Sequence, residues 1–123
     1  MSLMEQHDWA AMKYFGPEEF DNPERMGKKF IWRLNEARII AGVSFTITSD
    51  FRTAEHNADV GGAERSPHLT GRAVDIRVRS NFDRAKILYG LFKAGFTQVG
   101  VTYPKHIHVH ELKDAYHPEW RAW

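Results

Sequence analysis

The chain has 123 residues, a net charge of +1 and no cysteine. This length corresponds to one domain, and about two-thirds of its unfolded surface can be buried on folding. Acidic and basic residues are interspersed, so neither nucleic-acid binding nor membrane binding is expected. The lack of cysteine excludes disulfides, thiolate metal ligands and a cysteine nucleophile.

Polar and charged residues interrupt the apolar residues of the N-terminal segment, so neither a signal peptide nor a membrane insertion is predicted. Residues 1–3 precede a second methionine and are interpreted as the remnant of an expression tag, with the domain over residues 4–123. We therefore expect synthesis in the cytoplasm without a signal peptide.

A helix is the first strong pattern along the chain. Pro23 follows capping residues, and Gly42 ends a run of apolar residues at three- and four-residue spacing, which predicts a helix over 23–41. The apolar residues of this run are Met26, Phe30, Leu34, Ala37 and Ala41. Alternation over 43–48 then predicts a half-buried strand.

The second half of the chain predicts a loop, a helix and three strands. Residues 49–71 are rich in turn formers and predict a long functional loop, and alternation over 73–78 predicts a strand. A helix is predicted from Ser80 to Gly95, and two strands over 97–103 and 106–112. The apolar face of this helix would comprise Phe82, Ala85, Leu88, Leu91 and Phe92. The predicted fold is α+β: a single small domain with a mostly antiparallel sheet, helices packed on one face and a metal site on the other.

Candidate metal ligands lie on the predicted polar face of this sheet. Strand alternation directs the histidines of His106-Ile107-His108-Val109-His110 to one face, and Asp75 to the same side of a neighbouring strand. His68 lies in the preceding loop, and Gly71 allows a tight approach between them. Two imidazoles and a carboxylate suit zinc and leave a fourth position for water. Alternation alone leaves all three strand histidines open as ligands, because residues two apart are only about 6.6 Å apart.

A family resemblance selects among these histidines. The run from Ser66 to Asp75 has the S-x-H-x-x-G-x-A-x-D motif of the D-alanyl-D-alanine metallopeptidases, a group that includes lysostaphin-type enzymes and hedgehog signalling domains. His106-x-His108 matches their downstream H-x-H element. The run 47–53, with Asn57 and Gly61-Gly62, is similar to the S-G-Y-R-T…N…G-G run of small phage and bacterial members. The resemblance covers residues 17–123.

The resemblance implies one zinc ion held by His68, Asp75 and His108. His106 would lie near the attacking water or the developing oxyanion. Arg52 would bind a substrate carboxylate, a task suited to guanidinium; the other interpretation is a salt bridge that holds the loop. Ser66 would hydrogen-bond the substrate backbone or terminal group, or else serve as a turn-forming hydroxyl.

Two positions depart from the family pattern. Several relatives have an acid as general base where this chain has Lys105, and many small members have Asp where it has His110. Lysine accepts a proton at neutral pH only if its pKa is strongly depressed. Proton handling would therefore fall to His106 and, more weakly, to His110.

The resemblance implies a peptidase that cuts peptidoglycan stem peptides, as a D-Ala-D-Ala carboxypeptidase or an L-Ala-D-Glu-type endopeptidase. We expect a monomer that acts on the cell wall after release. The alternative is a catalytically inactive zinc-containing binding or structural domain of the same fold. An iron oxygenase with two histidines and one carboxylate is disfavoured, because six residues separate His68 from Asp75 and the usual H-x-D spacing is absent.

The remaining polar and aromatic residues are expected to have structural or surface roles. His56 and Asp59 are expected at the surface, and His7 and His117 in solvent. The aromatic residues Tyr116, Trp120 and Trp123 are expected to cover the sheet edge or core rather than bind substrate.

Overall fold

Four α-helices and a five-stranded sheet form the fold in a computed structural model, which describes residues 2–113, 117 and 120–123. The helices are α1 (Gln6–Ala11), α2 (Lys28–Ala41), α3 (Ala54–Asp59) and α4 (Asn81–Lys93). The strands are β1 (Ile47–Ser49), β2 (Ala73–Arg77), β3 (Gln98–Gly100), β4 (His106–His110) and β5 (Arg121–Ala122). Three short 3-10 helices cover Pro17–Glu19, Pro23–Arg25 and Pro67–Thr70.

The strands are ordered β1-β2-β4-β3-β5 across the sheet. All neighbouring pairs are antiparallel except β3 and β5, which are parallel. The predicted α+β class, single small domain and mostly antiparallel sheet are therefore confirmed. Within the described ranges, no helix has the length and apolar character needed to cross a membrane.

The hydrophobic core contains one face of the two central strands. Val74, Ile76, Ile107 and Val109 are fully buried, as alternation predicts. They belong to one apolar cluster with residues of α2 and α4, among them Phe30, Ile31, Leu34, Ile87 and Leu91. The opposite face of β2 and β4 is thereby left to Asp75 and the strand histidines.

The packing of α2 against α4 differs from the predicted apolar face of α4. Phe82 is 69% exposed and Phe92 is 48% exposed, whereas Ile87, Gly90 and Leu91 are buried. A Cβ at Gly90 would collide with the carbonyl oxygen of Ala37 in α2. The two helices therefore approach at their backbones, and small residues rather than aromatic ones form the contact.

The helix predicted over 23–41 begins at Lys28, after a separate 3-10 helix at Pro23–Arg25. The backbone between them makes long-range pairs. The amide of Met4 donates to the carbonyl of Met26 at 2.8 Å, and the amide of Gly27 donates to the carbonyl of Gly71 at 2.8 Å. These groups are unavailable to a continuous helix, so the prediction was wrong over 23–27.

Other predicted boundaries were also wrong. The first strand covers Ile47–Ser49 rather than 43–48, and it pairs with β2 through an irregular register. The predicted loop 49–71 contains α3 and a 3-10 helix, and Thr53 caps α3 by accepting the amide of His56 at 3.1 Å. Strands β3 and β4 are shorter than predicted, and α1 and β5 were not predicted.

Candidate metal centre

Asp75 lies at the centre of a buried polar cluster. Asp75 is paired directly with His108 on the neighbouring strand, so both side chains project from the same face of the sheet. Asp75 Oδ1 is 2.9 Å from Nδ1 of His108 and 3.3 Å from Nε2 of His68. One ligand atom from each of the three residues lies within 4.8 Å of the other two. The structure thus brings together the three residues predicted as metal ligands.

His68 reaches this cluster from the 3-10 helix Pro67–Thr70. Ser66 begins that helix, and its Oγ accepts the amide of His68 at 3.3 Å. Gly71 ends it with a φ of +75°, and a Cβ there would collide with the carbonyl oxygen of Arg25. The turn that aims His68 at Asp75 therefore requires glycine, because any other residue would be both strained and obstructed.

The His68 ring is oriented by a backbone group. Its Nδ1 donates to the carbonyl oxygen of Asp50 at 2.8 Å, which leaves Nε2 facing Asp75. The Asp50 carboxylate accepts the amides of Asp21 and Asn22, at 2.6 and 3.3 Å. Burial raises the pKa of Asp50, and these hydrogen bonds oppose the rise only in part. Such outer hydrogen bonds fix the tautomer and direction of metal-binding histidines.

The His108 ring is oriented by a second imidazole. Its Nε2 lies 2.9 Å from Nδ1 of His110, while its Nδ1 faces Asp75. Burial and the neighbouring His108 lower the pKa of His110 to about 3. Burial also lowers the pKa of His108, although Asp75 opposes this change. Both rings are therefore neutral at neutral pH, the state in which imidazole binds metal.

The Asp75 carboxylate remains ionised. Burial alone would raise its pKa, but the hydrogen bond from His108 and the closeness of the His68 ring outweigh burial and hold the pKa below its usual range. A carboxylate and two imidazoles are a donor set that catalytic zinc sites use. The residues present therefore fit one divalent ion of zinc type.

An open cleft of about 660 Å³ lies over this cluster. Its walls include Arg52, Ser66, Tyr103, His106 and Trp123. The His106 ring stacks on Tyr103 with centroids 4.5 Å apart, and it does not join the three grouped ligand atoms. Lys105 is exposed and does not line the cleft.

The Arg52 guanidinium is held by neutral oxygens. Its Nη1 donates to Oδ1 of Asn57 at 3.3 Å, and its Nη2 donates to Oγ of Ser49 at 3.1 Å. Within the described part of the chain, no carboxylate forms a salt bridge with it. The Arg52 side chain is therefore positioned at the cleft, and no described carboxylate neutralises its positive charge.

At the C-terminal end, the predictions for His117 and Trp120 need correction, whereas Trp123 lies at the sheet edge as expected. His117 is half-buried and lines the cleft, with its ring 5.4 Å from that of His110. Trp123 also lines the cleft, and its ring lies 5.7 Å from that of His108. Trp120 is 78% exposed and covers no core. Tyr116 lies outside the described residues, whereas His7, His56 and Asp59 are exposed as expected.

Asp50 and the β5 segment were missed from the sequence. Asp50 contributes through its backbone carbonyl, which any residue carries, so its residue type gave no signal. Strand β5 has only two residues, which is too short for an alternating pattern.

Two imidazole nitrogens and one carboxylate oxygen at the base of an open cleft are features of catalytic metal sites, among them those of metallopeptidases. Comparison of sequences supports this class. The sequence model of the peptidase M15 family matches residues 12–110, and the chain belongs to this family of zinc metallopeptidases. Among curated proteins, none matches the chain.

Proposed function

We propose that this protein is a zinc-dependent peptidase that hydrolyses amide bonds in peptidoglycan stem peptides. It would act as a D-Ala-D-Ala carboxypeptidase or as an L-Ala-D-Glu-type endopeptidase, as a monomer that reaches the cell wall after release. The observation that carries the proposal is the convergence of His68, Asp75 and His108 beneath the cleft of a peptidase M15 chain. Zinc, when bound, lowers the pKa of a water molecule and polarises the scissile carbonyl.

The three ligands would be His68 Nε2, Asp75 Oδ1 and His108 Nδ1, the atoms that already face one another. The outer contacts from Asp50 and His110 hold both rings in place before metal arrives. Because these contacts fix ring direction, little reorganisation accompanies metal binding.

Arg52 and Ser66 would bind the substrate. The Arg52 guanidinium has no acidic partner among the described residues, so it can pair with a substrate carboxylate through two parallel hydrogen bonds. The Ser66 oxygen accepts the amide of His68, and its hydroxyl hydrogen remains to donate to a substrate carbonyl. Both side chains line the cleft.

His106 would handle the proton. Its half-buried ring stands on the cleft wall, stacked on Tyr103, on the same strand face as His108. From that position the imidazole would accept the proton of the attacking water and later donate it to the leaving amine. Lys105 cannot share this role from outside the cleft.

A zinc-containing binding or structural domain without peptidase activity is the second candidate. The exposed Lys105, at the position where several relatives have an acid, favours it. Metal binding with no cleavage of wall peptides would support this candidate over the first.

Mass spectrometry of muropeptides, after incubation of peptidoglycan with the protein, tests the proposal. We expect new stem-peptide fragments from the wild type, none in the presence of a chelator, and a loss of at least 100-fold in His106→Ala. His56→Ala, a change at an exposed histidine of α3, should leave cleavage unchanged. Equal activity of His106→Ala and the wild type would remove His106 from the mechanism.

A further inference from the structure

We propose that β5 adds a second anion-binding position to the cleft, formed by Arg121 and supported by Trp123. The substrate would be an acidic peptide with carboxylates on both sides of the scissile bond. This inference rests on the proposed function, because it names the substrate class that the same cleft takes.

The sheet order places the two anion-binding positions on opposite sides of the metal ligands. Arg52 follows β1 at one edge, Arg121 lies in β5 at the other edge, and the ligand strands β2 and β4 lie between. Four strand spacings of about 4.8 Å separate the edges by about 19 Å. An extended peptide of about six residues covers that distance at roughly 3.4 Å per residue. One peptide could therefore contact both arginines with a central bond over the ligands.

Among the described residues, Arg121 is held by an aromatic ring. Its guanidinium carbon lies 4.7 Å from the centroid of the Trp123 ring, a cation–π contact. A stacked guanidinium keeps its N–H groups at its rim, where they can bind a carboxylate with two hydrogen bonds. Across the described residues, no carboxylate forms a salt bridge with it.

Trp123 provides a fixed support for Arg121. Its backbone amide donates to the carbonyl of Val99 at 3.2 Å, and its carbonyl accepts the amide of Thr102 at 2.9 Å. Its indole Nε1 donates to the hydroxyl of Tyr103 at 3.1 Å. A Cβ at Gly100 would crowd both aromatic rings. Trp123 is thus fixed by its backbone and by its indole nitrogen, and it positions the Arg121 guanidinium that lies over its ring.

The charge of the cleft favours an anionic ligand. Its described lining residues include Arg52 and Arg121, whereas the one described side-chain carboxylate in the lining belongs to Asp75. Asp75 is already engaged by His68 and His108. The remaining positive charge would attract acidic peptides and raise their local concentration. Because the arginines come from separate segments, this charge is spread over the cleft and suits more than one carboxylate.

Two synthetic six-residue peptides of stem-peptide type test the proposal. They differ only in one residue on the Arg121 side of the scissile bond, which carries a free carboxylate in the first and the corresponding amide in the second. We expect the wild-type zinc enzyme to favour the acidic peptide about ten-fold in kcat/KM, mainly through KM. Arg121→Gln should lose this preference, Arg121→Lys should keep part of it, and Lys93→Gln, an equal charge change on α4, should keep all of it.

Equilibrium binding of the same peptides, followed by NMR titration of the protein, separates this inference from the proposed function. A preference for the acidic peptide that Arg121→Gln removes supports the second position even if no peptide is cut. If the Arg121→Gln variant keeps the preference, or binds both peptides more weakly by the same factor, the proposal of a second anion-binding position is wrong. Absence of binding by the wild type would overturn both the inference and the proposed function.

Discussion

Nε2 of His108 lies 2.9 Å from Nδ1 of His110, while Nδ1 of His108 lies 2.9 Å from Asp75. A ligand ring that binds metal through Nδ1 must carry its proton on Nε2. Without metal, Nδ1 of His108 donates to the ionised Asp75; with metal on Nδ1, the proton would lie on Nε2, and Nδ1 of His110 would accept it in a hydrogen bond. Residue 110 is therefore expected to tune the metal site without touching the metal.

His110→Ala should weaken zinc binding by about 10- to 100-fold, because the His108 ring loses the contact that orients it. Competition with a chromophoric chelator measures this change. His110→Asn offers an oxygen that can accept the same hydrogen bond, so it should recover part of the affinity. An affinity of His110→Ala equal to that of the wild type would show that Asp75 alone orients the ring.

Zinc should raise the thermal midpoint of unfolding, because the three ligands converge only in the folded chain. Zinc at 1,000 times its Kd would stabilise the fold by about 4 kcal/mol, a shift on the order of 10 °C for a domain of this size. Differential scanning calorimetry with and without chelator measures the shift. Asp75→Asn keeps the shape of the side chain but should abolish most of the shift; a full shift in this variant would exclude Asp75 as a ligand.

Gly71→Ala should destabilise the protein by about 3 kcal/mol or more, because the new Cβ is strained by the positive φ and also meets the carbonyl of Arg25. Gly42→Ala is the matched control. Its φ is +70° and its Cβ would meet nothing within 4 Å, so the strain alone should cost about 1 kcal/mol. Chemical denaturation gives both free energies of unfolding, and equal losses would mean that residue 71 has room for a side chain.

Asp50→Ala should lower the free energy of unfolding by about 1–3 kcal/mol, because the amides of Asp21 and Asn22 lose their acceptor. Zinc affinity should also fall, since the carbonyl that orients His68 belongs to the same residue. Asp50→Asn keeps one acceptor oxygen and should lose less of both. Chemical denaturation and the chelator competition together test this prediction; reduced stability with unchanged zinc affinity would separate Asp50 from the metal site.

The candidate site was more predictable from the sequence than the element boundaries. Strand alternation places Asp75 and the three strand histidines on one face, because burial of Val74, Ile76, Ile107 and Val109 forces their neighbours to the other side. The family resemblance then selects His108 among the three histidines. His68 was predicted as a ligand from the S-x-H-x-x-G-x-A-x-D motif, which also contains Gly71. The positive φ at Gly71 explains why that motif requires glycine there.

The boundaries that were wrong depend on contacts between distant residues. Lys28 begins α2 because Met26 and Gly27 pair with Met4 and Gly71, and no local pattern records that pairing. The position of Trp123 depends on backbone bonds to Val99 and Thr102 that join a two-residue strand to the sheet edge. Such contacts are properties of the assembled chain rather than of any window of sequence.

Residues 21–27 contact both turns that supply the metal site: the amides of Asp21 and Asn22 bind Asp50, and Gly27 and Arg25 contact Gly71. The stability of this segment and the occupancy of the site are consequently linked. Whatever loosens the segment, such as cleavage by a protease, should release the ion, and the bound ion should in turn slow hydrogen exchange at these amides.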